Sequence, residues 1–149
     1  MKKGMDYVKA DGGGDIPEDC DGGYDLALDD YMDWRKNSLK IIIHLDDERA
    51  HIKKFSDRDS KQDLPEYEIG LVNNIKKCAK KKINILGYQI GKEPEKSFLE
   101  CKHIYESFKS KNGFFEIFQF KHASAEEVAE KLKESITNHI SAFIAKKNN

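Results

Sequence analysis

The chain has 149 residues, a length suited to one compact domain, and 38% hydrophobic against 36% charged residues marks it as polar but able to form a core. A formal net charge of −1 gives no reason to expect nucleic acid as the main partner, since phosphate binding needs a basic surface. The N-terminal MKKGMDYVKADGGG lacks the apolar stretch of a signal peptide, and no window approaches the roughly 18 apolar residues of a membrane span.

In chain order, Met5 and Val8 fit the last turn of a helix, broken by Asp11-Gly12-Gly13-Gly14-Asp15. Consecutive glycines open backbone angles closed to other residues. Asp15 then suits a helix cap, with Glu18 three residues on as its capping-box partner. Leu26, Ala27, Tyr31 and Trp34 recur at helical spacing, and Gly22-Gly23 either weakens this helix or admits a close neighbour.

Leu39–Leu45 reads as a strand, and its continuous Ile41-Ile42-Ile43 predicts cover on both faces. Residues 46–62 are polar and form a long loop. A helix from Leu64-Pro65 carries Leu71, Val72, Ile75 and Cys78 on one stripe and ends in a lysine cluster that suits its dipole. Ile83–Ile90 is the next strand, Glu95–Lys111 a helix stopped by Asn112-Gly113, and Phe114–Phe120 the third strand. Ser124 and Glu127 form a capping box for a last helix with Val128, Leu132, Ile136, Ile140, Phe143 and Ile144 on one face.

This alternation predicts an α/β fold: a three-layer αβα, partial doubly wound (Rossmann-like) and mostly parallel sheet. One partial domain is expected over residues 1–149, with an N-terminal remnant and glycine loop to residue 14, a core over 15–145 and a frayed tail over 146–149. With three strands, Leu39–Leu45 has a neighbour on one side only and becomes an apolar edge, which reads as missing material.

Ligands bind at the carboxyl ends of strands in such sheets, so the Asp46-Asp47-Glu48 loop and the glycine loop are the candidate sites. Neither GxGxxG nor GxxxxGK[ST] occurs, and Asp15, Glu18 and Asp19 would repel a phosphate. The carboxylates instead suit a hard cation such as Mg²⁺, or are simply a cap and a loop residue. His44 reads as a hydrogen-bonded core or crevice histidine and His51 as a loop residue. Cys20, Cys78 and Cys101 are odd in number and lack CxxC spacing. That argues against a disulfide scaffold or zinc site and for a reducing, cytoplasmic setting. No serine or cysteine has a catalytic partner by sequence logic, so no catalytic residue is assigned.

The run Gly12-Gly13-Gly14-Asp15-Ile16-Pro17-Glu18-Asp19, with Gly22-Gly23, Leu26-Ala27-Leu28 and Trp34, resembles the von Willebrand factor A domains found with α-kinases in protists. Ile41–Leu45 with Asp47 and His51 is similar to their following strand and loop, which usually read His-Ile-Ala-Asp-x-Pro-x-His-Gly. Ser135-Ile136 and Ser141 are similar to the terminal helix. The resemblance implies a non-catalytic protein-interaction module whose divalent cation accepts a partner's carboxylate. It also implies metal ligands at Asp15 and Asp47 and a binding loop at Gly13, Gly14, Asp46 and His51. The Asp-x-Ser-x-Ser loop of that family is absent, Arg49 stands for Pro and Ile52 for Gly, so the Mg²⁺ site is expected to be incomplete. The expected partners are a protein offering an acidic side chain, or the N-terminal half of the domain. The alternatives are a segment of an α-kinase polypeptide, a hydrolase using Asp47 with His44 or His51, or a structural remnant without a ligand.

Overall fold

A computed structural model describes residues 19–30, 32–50, 65–109, 113–121 and 124–147. Seven elements alternate along the chain: α1 (Cys20–Leu28), β1 (Lys40–Asp46), α2 (Pro65–Lys81), β2 (Ile83–Ile90), α3 (Glu95–Phe108), β3 (Phe115–Phe120) and α4 (Ala125–Lys147). The strands form one parallel sheet in the order β1-β2-β3. Helices lie on both faces, giving the three-layer, Rossmann-like α/β arrangement expected from the alternation.

Strand periodicity assigns the faces. Ile83, Ile85 and Gly87 of β2 look toward α1, α2 and α3, where Ile75, Cys78, Ala79 and Phe98 join them in the core. Tyr105 of α3 donates its hydroxyl to the Ile83 carbonyl at 3.0 Å and meets Phe115 edge-on. Leu86 and Tyr88 look the other way, toward α4. There Tyr88 hydrogen-bonds Ser135, His139 contacts Glu116 at 3.1 Å, and Lys131 lies over the Phe118 ring.

The stripe of α2 is as expected: Leu71, Ile75, Cys78 and Ala79 are buried. Burial pushes the Cys78 thiol up to about 12, so it acts as a small apolar group. Gly70 makes room for α1, since a Cβ there would meet the Asp21 carboxylate. Asn74 donates to Asp21 Oδ1 at 2.8 Å and completes that junction. The capping box of α4 forms as read: Ser124 N–H donates to Glu127 Oε2 at 2.8 Å and Glu127 N–H to Ser124 Oγ at 3.2 Å.

Four expectations change. The described first helix begins at Cys20 and is capped by Asp19, whose carboxylate accepts from Gly22 N–H at 2.9 Å, while the cap expected at Asp15 lies outside the described residues. Trp34 is not on that helix. α1 ends at Leu28, buries Cys20, Tyr24 and Leu28 at four-residue spacing, and leaves Leu26 exposed. Trp34 folds back from beyond the helix, donating its indole N–H to the Ala27 carbonyl at 2.8 Å. β1 is not covered on both faces: Ile43 and Leu45 are 46% and 56% exposed, because β1 is the sheet's edge and α4 sits over β2 and β3. On α4, Ile140 and Ile144 are exposed, and the inward positions include Ser135 and His139.

Candidate functional site

β1 and α1 together build the site. Residues 42, 44 and 46 share the face that looks at the helices, because a strand alternates its side chains. The N-terminus of α1 lies at the carboxyl end of β1, so Cys20 reaches Asp46 and Tyr24, one turn later, reaches His44. Between the two elements runs an open crevice of 520 Å³, with Asp19 and Asp47 among its lining residues.

Inside it, Cys20 Sγ donates to Asp46 Oδ2 at 3.4 Å and stands 3.7 Å from His44 Nε2. His44 Nε2 is 3.3 Å from the same Asp46 oxygen. The other atoms of these groups are held from outside. Tyr24 hydroxyl hydrogen-bonds His44 Nδ1 at 3.0 Å, and Glu48 N–H donates to Asp46 Oδ1 at 3.3 Å. Phe98 lies against the His44 ring, centroids 4.6 Å apart. Its own seat exists because residue 87 is glycine: a Cβ there would stand 2.6 Å from the Phe98 ring. Burial raises the Tyr24 hydroxyl well above the ordinary tyrosine range, helped by the thiols of Cys101, Cys78 and Cys20 and the Asp46 carboxylate. It is therefore a neutral hydroxyl at any physiological pH.

The carboxyl ends of the next strands extend this polar row. Asp46 pairs in register with Gln89, and Gln119 donates to Gln89 Oε1 at 3.2 Å. Beyond β1, Ala50 N–H donates to Ser97 Oγ at 3.1 Å, pinning the start of the loop to α3. Glu48 in that loop is raised by burial and by the nearby charge of Glu93.

The sequence-derived residues divide into three groups. Asp15, Gly13, Gly14 and His51 lie outside the described residues. Asp47 lines the crevice but is exposed, whereas Asp46 turns inward and is buried. His44 is the hydrogen-bonded crevice histidine that its place in the strand predicted. Sequence reasoning gave Cys20 no role. The available signal was period-two alternation, which puts His44 and Asp46 on one face, plus a cysteine opening the adjacent helix.

The trio of Cys20, His44 and Asp46 could hold a metal ion. The Mg²⁺ implied by the family resemblance belongs to other residues, Asp15, which lies outside the described residues, and Asp47, which lines the crevice; the trio itself does not suit that ion. Mg²⁺ demands an octahedron of oxygens, and an ion within reach of Asp46 Oδ2 here meets a sulfur and an imidazole nitrogen first.

Comparison with known proteins adds a short likeness. The alpha-protein kinase vwkA of Dictyostelium discoideum is 46% identical over 44 residues, which is 30% of this chain. The match spans 7% of that protein's length. No protein-family model matches the chain, and no solved structure matches it. Among the described residues, no helix is long and apolar enough to cross a membrane.

Proposed function

We propose that the chain is a protein-interaction module of the von Willebrand factor A type, non-catalytic in itself, which receives an acidic group of a partner at the crevice beside β1. The observation that carries this reading is the crevice's place, at the carboxyl end of a parallel strand and against the N-terminus of α1, where α/β sheets bind their ligands. The short likeness to an alpha-protein kinase supports it. Asp19 and Asp47 line the crevice and would repel a carboxylate, so binding through an acidic side chain requires a cation between them. The exposed Ile43 and Leu45 on the edge strand suit further polypeptide laid along β1, such as an N-terminal half of the domain.

The test is surface plasmon resonance of the chain over peptides with one glutamate among neutral residues, and over their glutamine counterparts, with and without divalent cations. Selective, cation-dependent retention of the glutamate peptides, weakened by Asp47→Ala, is expected. Equal retention of both peptide sets, or retention indifferent to chelator, overturns it. A second reading, favoured by the same likeness, makes the chain a segment of an α-kinase polypeptide. Phosphate transfer from ATP to a serine or threonine peptide by this chain alone would contradict the non-catalytic assignment.

A further inference from the structure

Three heteroatoms of three kinds converge at the carboxyl end of β1. Cys20 Sγ, His44 Nε2 and Asp46 Oδ2 form a triangle with sides of 3.7 Å between S and N, 3.4 Å between S and O, and 3.3 Å between N and O. Around a tetrahedral zinc ion, bonded at about 2.3 Å to sulfur, about 2.05 Å to nitrogen and about 2.0 Å to oxygen, the same edges are about 3.6, about 3.5 and about 3.3 Å. We propose that this chain binds a zinc-type divalent cation on Cys20, His44 and Asp46, with the fourth position open to the crevice.

Donor chemistry selects the ion: a thiolate and an imidazole favour zinc over magnesium or calcium. The supports are those of a metal site, in which groups behind the ligands fix their orientation. Tyr24 holds His44 through Nδ1, and Glu48 N–H holds Asp46 through Oδ1, so both ligand atoms are aimed at the same point.

The main competing use of a cysteine, a histidine and an aspartate is a nucleophile relay. A relay needs the base to meet the nucleophile with one ring nitrogen and the orienting carboxylate with the other. Here sulfur and carboxylate both meet Nε2, and a tyrosine occupies Nδ1. That is a ligand set, not a relay.

Binding expels the Cys20 thiol proton to solvent and uses the Nε2 lone pair of neutral His44. The Nδ1 proton then donates to the Tyr24 oxygen. Affinity accordingly rises with pH, since every ligand must be unprotonated.

This inference is independent of the binding-module reading, and its test uses the metal alone. The full chain, freed of metal by chelator, is titrated with Co²⁺ and then with Zn²⁺ in competition. The expected result is one Co²⁺ per chain, with intense tetrahedral visible bands and a sulfur-to-cobalt charge-transfer band, displaced by Zn²⁺ and unmoved by excess Mg²⁺. Cys20→Ser removes the charge-transfer band, while Cys78→Ser and Cys101→Ser leave it. Tyr24→Phe keeps the band and weakens binding by about 10- to 100-fold. Octahedral, sulfur-free Co²⁺ spectra from the wild-type chain overturn the proposal whatever the variants do, as does Zn²⁺ affinity unchanged in a folded Cys20→Ser.

Discussion

β1 and β2 are neighbours in one sheet, paired in parallel from Lys40 opposite Ile83 to Asp46 opposite Gln89, and both are rich in isoleucine and leucine. β2 is buried along almost its whole length, while β1 is covered only in part. Toward its carboxyl end β1 is also turned inside out: His44 and Asp46 point at the helices, and Ile43 and Leu45 point outward. Composition thus made the two strands strands, and position in the sheet decided what each does. The central strand supplies the core, while the edge strand, relieved of that task, keeps polar groups against α1.

Substitutions sharpen the contrast. Ile85→Ala in the centre of β2 removes a side chain with no exposure and is expected to cost about 2–5 kcal/mol, measured by denaturant unfolding. A cost near that of a surface change would break the division of labour. Gly87→Ala forces the Phe98 ring aside, and overpacking of this kind costs about 1–3 kcal/mol. Because Phe98 also rests on His44, the same variant should move the His44 ring resonances in NMR. An unmoved His44 would show that core and crevice are separate.

Raised pH tests the β2 side a third way. The Cys78 thiol stands at about 12 in the folded chain, against an ordinary 9.0, because it is buried. Its neutral form contributes stability fully present below pH 9 and lost as the pH climbs toward 12. The loss is about 1.4 kcal/mol by pH 10. Tyr105, also raised to about 12 by burial, adds its own loss above pH 10. Unfolding midpoints measured from pH 8 to 11 should therefore fall, and fall less in Cys78→Ala. The smallest effect belongs to the outward face of β1: Leu45→Ala, at an exposed position, should stay within about 0.5 kcal/mol. A larger loss would mean that Leu45 is covered in solution.

Much of the fold was legible, because strong local patterns agreed with their surroundings. Ile83–Ile90 has the bounds read from its apolar run, and Ser124 with Glu127 caps α4 as their spacing said. The site was less legible. The motif carrying the family resemblance has alanine before its aspartate, which gave the metal-ligand role to Asp47 and left Asp46 as a binding-loop residue. Cys20 looked inert because cysteine spacing considers only near neighbours, whereas the fold brings His44 and Asp46 from 24 and 26 residues along the chain. The start of α1 was misplaced because Asp15 with Glu18 and Asp19 with Gly22 are both plausible caps. Trp34 was assigned to a helix that had already ended, since an isolated aromatic at helical spacing carries no record of an intervening turn.

The seat of α4 differs in kind from the rest of the interior. Its contacts with the sheet include Tyr88 on Ser135, Glu116 on His139, Phe114 stacked on the His139 ring and Lys131 over Phe118. Polar and aromatic fasteners of this sort release with less exposure of oily surface than an interlocked aliphatic seam does. The C-terminal helix is then expected to open before the central strand, and its amides should exchange with deuterium ahead of those in β2.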